Sequence, residues 1–239
     1  MKLKKYKIVF TGGSGRFGTC LKKVRTKHKF YYPTKKQLNI SKVNSIKKYL
    51  KQKKPDIVIH AAALSRPMQI HNEKIGKSID INIIGTGNIT KICSELNIKL
   101  IYFSTNYIYP STKGNYNEKD PLLPINNYAW SKLGGECAVQ LYKNSLILRI
   151  CMAEKPFVHK EAFTDFKTNF IFHDKVAKIL LKLLPYKGII NVGGPIQSVY
   201  NFAKKENKNV KKILARNKLG KNAPLNPSIN INKLKNILK

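Results

Sequence analysis

The sequence predicts an α/β fold, a doubly wound parallel sheet followed by a small C-terminal lobe. Three observations carry this. Short apolar runs alternate with longer amphipathic ones, the pattern of strands joined by crossover helices. The runs "IVF", "DIVIH" and "LIYFS" are apolar throughout, as strands covered on both faces are. A glycine-rich turn, "TGGSGRFG", joins the first apolar run to the first amphipathic one.

In chain order, the apolar runs place strands at Lys7–Thr11, Lys29–Tyr32, Asp56–His60, Lys99–Phe103, Ser145–Ile150 and Gly188–Val192. The amphipathic runs between them place helices at Arg16–Lys27, Val43–Lys53, Ile75–Leu96, Tyr128–Tyr142 and Lys175–Leu184. After Ile150 the pattern loosens, and "PFVHKEAFTDF" and "NKLGKNAPLNPSIN" read as loops of a smaller lobe. The expected division is a dinucleotide-binding domain over residues 1–150 and a small substrate lobe over 151–239. The lobe is expected to return in part to the main sheet near 174–194.

The chain has 239 residues, 42% of them hydrophobic, enough for a sizeable core. Its net charge of +34 comes almost wholly from lysine, spread over the whole length beside abundant Asn and Ile. Nucleic-acid grooves use arginine forks as well as lysine charge, and no such motif is present, so no specific nucleic-acid partner is expected. The charge reads as a solvated surface that attracts anionic ligands. Cys20, Cys93, Cys137 and Cys151 show no CxxC pairing and are expected to be reduced, buried thiols of a cytoplasmic protein. The apolar run in "MKLKKYKIVF" is too short for a signal-peptide core, and no run is long enough to span a bilayer. The histidines lack partners at metal-ligand spacing, so no metal is expected.

The glycine turn carries the first functional signal. Gly12, Gly15 and Gly18 follow a strand and open a helix, the context of a Rossmann-type dinucleotide site. Gly12 allows the tight turn, Gly15 lets backbone approach a pyrophosphate, and Gly18 lets the helix pack closely. At the second strand's end "YYPTKKQ" offers no carboxylate for a ribose 2′-hydroxyl, but Lys35 and Lys36 suit a 2′-phosphate. NADP(H) is therefore expected, with NAD left open; Asn39 can contact the adenine end of either.

The second signal is "NNYAWSKLGGE". Tyr128 and Lys132, at i and i+4, share one helical face. A free phenol has a pKa of about 10, and a neighbouring ammonium lowers it toward a useful proton donor. Lysine can also hold a nicotinamide ribose. "LIYFSTNYIY" supplies Ser104 and Thr105 at a strand end, where a hydroxyl can orient a substrate carbonyl.

Together these segments resemble the extended short-chain dehydrogenase/reductase family, and within it the dTDP-4-dehydrorhamnose reductases and their relatives. The resemblance rests on "TGGSGRFG", "LNIS", "DIVIHAAA", "INIIGTGNI", "YFSTNYIY", "GNYNEKDPLLPINNYAWSKLGGE", "LILRI" and "GIINVGGPIQSVYNFAKKE". Its most specific part runs through Tyr116, Glu118, Asp120, Pro124, Tyr128, Ser131, Lys132 and Glu136. It implies an NAD(P)H-dependent reductase of a nucleotide-linked 4-keto-6-deoxysugar, with Thr105, Tyr128 and Lys132 catalytic. It implies Gly15, Arg16 and Phe17 along the pyrophosphate, Asn39 and Ile40 by the adenine, and Ala61, Ala62 and Ala63 along the cofactor's middle. Thr105 and Asn106 would touch the sugar. A nucleotide-sugar epimerase or dehydratase, or a non-catalytic NAD(P)-binding regulatory subunit, are the alternatives; a homodimer stays open.

The chain departs from the pattern at Asn106, where the reductases carry aspartate, at Ala129–Trp130, and in "ICMAEKPFVHK" after Arg149. Arg149 reads either as a substrate-phosphate ligand or as an internal ion pair. His60 reads as packing, Asp174 as a helix N-cap, and Phe157, Phe163, Phe166, Phe170 and Phe172 as the lobe's core.

Overall fold

A computed structural model describes residues 4–239. The central feature is a six-stranded parallel sheet. The chain runs β1 (Lys7–Thr11), α1 (Arg16–Leu21), β2 (Lys29–Tyr31), α2 (Val43–Lys53), β3 (Ile57–His60), α3 (Ile70–Glu73) and α4 (Ile75–Ser78). A π-helical turn, Ile79–Ile84, leads into α5 (Gly85–Glu95), β4 (Lys99–Thr105), α6 (Asn127–Gln140) and β5 (Ser145–Ile150). Spatial order is β2-β1-β3-β4-β5 and then a strand from the C-terminal part of the chain. The order reverses between β1 and β3, which opens a crevice at the carboxyl ends of the strands there. The glycine turn stands at that point.

Alternation along each strand sorts the core into two layers. Ile8, Phe10, Ile57, Ile59, Ile101, Phe103, Leu146 and Leu148 pack on one face with Phe17 and Leu21 of α1. Val9, Val58, Leu100, Tyr102 and Ile147 pack on the other, against Ile46 and Leu50 of α2 and Ile89 and Ile92 of α5. Burial of both faces explains the continuously apolar runs.

Beyond β5 the chain makes β6 (Met152–Ala153), β7 (Glu161–Phe163), β8 (Lys167–Thr168) and β9 (Ile171–Phe172). Then come α7 (His173–Leu183), β10 (Gly188–Val192), β11 (Gln197–Ser198), α8 (Val199–Lys204), β12 (Lys211–Ile213), α9 (Ala215–Leu219) and α10 (Asn232–Leu238). β10 pairs with β5 from Leu146 to Ile150 and completes the sheet's edge. α7 buries Val176, Ala177, Leu180 and Leu183 on the same face as α1. The short strands pair off as β6–β9, β7–β12 and β8–β11. Phe166 is buried among Ala162, Val199 and Val210, with Phe157, Phe163 and Phe170 against this cluster, while Phe172 tilts on Phe202.

Several elements differ from expectation in detail. α1 stops at Leu21, because the stretch to Lys27 carries β-branched Val24 and Thr26 among four cations. The long third helix is interrupted by the π-turn, where an inward-facing asparagine is recruited. Asp174 is not a cap: Phe172 holds that position without a side-chain bond, and Asp174 lies in the first turn. α6 is capped, by Asn126 Oδ1 accepting from the Ala129 N–H at 2.8 Å, and α8 by Ser198 Oγ accepting from the Asn201 N–H at 3.1 Å. Of the thiols, Cys93 and Cys151 are buried, but Cys20 is half-buried and Cys137 exposed, because it sits on the outer face of α6. No helix among the described residues is long and apolar enough to cross a membrane, and no cluster there could hold a metal ion.

Candidate active site

The crevice floor is the glycine turn. Gly12 has φ +83°, and a Cβ there would lie 2.8 Å from the Ala62 nitrogen. Only glycine lets β1 turn so close to the end of β3. Gly15 and Arg16 are exposed at the start of α1, and Ala61, Ala62 and Ala63 are half-buried opposite. Gly18 is buried under Gly12 and Gly13, so the helix packs on the turn itself. Phe17 corrects one expectation. Its side chain is buried against Phe103 and His173, which leaves only its backbone to the crevice.

The adenine-end candidates lie along the loop after β2. Lys35 and Lys36 are exposed in a turn closed by Thr34 and Gln37. Asn39 Oδ1 accepts from Ser41 N–H at 3.0 Å, and the Ile40 side chain rests against Gly85.

Thr105 ends β4 with its backbone still extended. Its Oγ1 accepts from the Tyr107 N–H at 3.3 Å, which leaves the hydroxyl proton for the Tyr128 phenol. Tyr128 and Lys132 stand on the first turns of α6. Burial pushes the Tyr128 phenol up to about 12, against the opposing pull of the Thr105 hydroxyl and, more weakly, the Arg66 charge. Lys132 is buried with its Nζ 4.1 Å from the centre of the Tyr102 ring. Burial pulls its ammonium down to about 7, offset in part by Glu136. Thr105 and Arg66 are the groups that pull the phenol down in this structure, while the Lys132 charge lies against Tyr102.

Two expected substrate ligands turn inward. Asn106 is buried, and its Nδ2 donates to the Pro227 carbonyl at 3.0 Å. Arg149 is also buried: Nε and Nη2 donate to Glu136 Oε1 at 3.1 and 2.7 Å, and Nη1 donates to Tyr109 and the Glu118 carbonyl. All three nitrogens are engaged inside the fold, so Arg149 is an anchor and not a substrate ligand. Ser104 Oγ donates to the other oxygen of Glu136, tying β4 into the same knot.

His60 is a strut. Thr86 donates its proton to the Asn82 carbonyl, so it accepts from His60 Nε2–H; Thr11 then donates to Nδ1. Desolvation pushes this imidazole down to about 3, which keeps it neutral.

Sequence reasoning missed Asn82. Fully buried in the π-turn, it accepts from the Leu64 N–H at 2.8 Å, donates to the Leu64 carbonyl at 2.9 Å and donates to Ser131 Oγ at 2.8 Å. Ser131 in turn donates to the Tyr128 carbonyl at 2.7 Å. Asn82 thus joins the loop after β3 to the start of α6. A lone asparagine within "INIIG" was the available signal. Gly135 completes the fit, since a Cβ there would sit 2.8 Å from the Tyr102 hydroxyl.

The chain is similar to several known proteins. The chain is 28% identical over 142 residues to methionine adenosyltransferase 2 subunit beta of Pongo abelii, covering 56% of this chain and 42% of that protein. The chain thus spans less than half of that curated relative's length. Its fold matches a hypothetical dTDP-4-dehydrorhamnose reductase from Sulfolobus tokodaii with TM-score 0.84 and 26% identity, covering 98% of this chain and 95% of that one. It matches dTDP-4-dehydrorhamnose reductase from Bacillus anthracis, solved in complex with NADP, with TM-score 0.85 and 23% identity, covering 97% and 92%. The family model described as RmlD substrate binding domain matches residues 6–166, across the sheet, the glycine turn and the Thr105–Tyr128–Lys132 set, and the chain belongs to that family.

Proposed function

We propose that this protein is an NAD(P)H-dependent reductase of a nucleotide-linked 4-keto-6-deoxysugar. The observation that carries this reading is the convergence of Thr105 and Tyr128, with Lys132 one turn on, at the sheet end that bears the glycine turn. Residues 1–150 would hold the cofactor and 151–239 shape the sugar side.

The turn suits a dinucleotide, since a Cβ at Gly15 would meet only the Gly12 carbonyl, and Gly15 and Arg16 stand exposed with Ala61, Ala62 and Ala63 half-buried opposite. Gly12, Gly15, Arg16, the Phe17 backbone and Ala61, Ala62 and Ala63 would hold its middle. Lys35, Lys36, Asn39 and Ile40 would hold the adenosine end, with the lysines favouring NADP over NAD. When bound, the cofactor supplies hydride to the carbonyl carbon. Thr105 orients the carbonyl oxygen. Tyr128 keeps its proton at neutral pH, because burial holds its phenol near 12, and so serves as the acid that donates to that oxygen. Lys132 then faces a phenolate. Titrating near 7, it can carry the compensating charge and hold the nicotinamide ribose. Free cysteines suit a reducing cytoplasm.

The test is NADPH oxidation on addition of dTDP-, GDP-, UDP- or CDP-linked 4-keto sugars. Consumption with one of them is expected, and none with any would sink the reading. Tyr128→Phe should then lower kcat/KM by about 10²- to 10⁴-fold while NADPH still binds. A second reading is favoured by the match to a methionine adenosyltransferase subunit: a cofactor-binding regulatory subunit without turnover. Under it, Tyr128→Phe changes no activity.

A further inference from the structure

The chain has five arginines among its 46 cationic residues: Arg16, Arg25, Arg66, Arg149 and Arg216. Two of them, far apart in sequence, meet at one carboxylate. Glu154 Oε1 accepts from Arg66 Nη1 at 2.7 Å and lies 3.1 Å from Arg16 Nη1. Arg16 opens α1 behind the glycine turn, Arg66 follows β3, and Glu154 follows β6. The two guanidinium groups therefore aim at one point at the crevice mouth. The Arg66 charge also acts on the Tyr128 phenol, which puts that point on the reactive side of the turn.

This cluster is not needed to neutralise buried charge. The arginine side chains are 57% and 48% exposed, and Glu154 is the most covered of the three at 23%. Its other charged neighbours are few. His173 of α7 feels its charge, with Asp174 acting on the same histidine, and Lys155 is turned to Glu206 at 3.2 Å. Paired guanidinium forks match the oxygens of phosphate, which lysine in this lysine-rich chain would meet only as a point charge. A carboxylate oxygen shared by two such forks occupies the place of a phosphate oxygen.

We propose that Arg16 and Arg66 form a diphosphate clamp, and that the Glu154 carboxylate is its internal occupant, released when the ligand's diphosphate enters. This rests on the reading of the crevice as a site for a dinucleotide and a nucleotide sugar. Both ligands carry a diphosphate, and the test separates them. Arg66 gains a ligand-binding role. Glu154 sets the affinity, because the ligand must first displace it.

Calorimetric titration of the full chain with NADPH, and separately with dTDP, tests this with wild type, Glu154→Gln and Arg66→Gln. For one of the two ligands, Glu154→Gln should tighten binding about three- to tenfold and Arg66→Gln weaken it by a similar factor. Both shifts should shrink on going from about 0.05 to about 0.5 M salt. The ligand that responds is the one whose diphosphate the clamp takes. Melting curves of the variants verify the fold. If wild type binds but Glu154→Gln leaves both affinities unchanged or weaker, or Arg66→Gln moves neither, the clamp is overturned and the functional reading stands. If wild type binds neither ligand, both fall.

Discussion

Two arginine–glutamate clusters flank the candidate site, and they do opposite work. Glu136 and Arg149 are buried; Arg149 also donates to the Tyr109 hydroxyl and the Glu118 carbonyl, and Ser104 donates to Glu136, which closes the knot. Glu154 with Arg16 and Arg66 lies half open to water. The buried pair cannot open without stranding a charge in a dry interior, so it fixes α6 against β4 and β5. The exposed one exchanges its partners for water at little cost and is free to yield. The same residue types thus give rigidity behind Tyr128 and Lys132 and a replaceable contact in front of them.

The comparison breaks first at the buried pair. Glu136→Ala leaves Arg149 unpaired and should lower unfolding free energy by about 3–5 kcal/mol, read from denaturant midpoints. A loss under about 1 kcal/mol would put the two clusters in one class.

Lys132 provides the next test. Its folded-state pKa, about 7, lies below the free lysine value, so the unfolded chain binds more protons above pH 7. Stability from this group is least at pH 7 and below. It rises as pH climbs from about 7 toward the unfolded value of about 10.4. Lys132→Met should therefore exceed wild type in stability at pH 6–7 by on the order of a few kcal/mol, and lose that margin by about pH 10. A margin that does not vary with pH would show that the lysine is not strained by burial.

Asn82→Ala removes the joint between Leu64 and Ser131. It should cost about 1–3 kcal/mol through unsatisfied buried groups and, on the proposed function, lower kcat more than it raises KM. An unchanged kcat would leave Asn82 as scaffold alone. Glu154→Gln should be the mildest, shifting stability by less than about 1 kcal/mol. A larger loss would make the front cluster structural as well.

The sheet was legible because burial on both faces writes itself as unbroken apolar runs, as in Ile57–His60 and Lys99–Thr105. Local spacing also announced Gly12 and the Tyr128–Lys132 pair. What stayed hidden depends on direction. Nothing in "SLILRI" says that Arg149 points at Glu136, or in "TNY" that Asn106 points at Pro227. The Arg66–Glu154 contact spans 88 positions, beyond any periodicity. Nor could spacing reveal that Lys132 of α6 rests on Tyr102, because that ring belongs to β4, thirty residues away.

The position of β10 has a consequence for biosynthesis. Every residue of β5 is buried, and its outer edge is closed only by β10, some forty residues later in the chain. A nascent polypeptide emerging from the ribosome would carry that apolar edge uncovered until residue 192 had been made. A fragment cut at residue 150 should therefore aggregate, and translation must pass well beyond the first five strands of the sheet before they are secure.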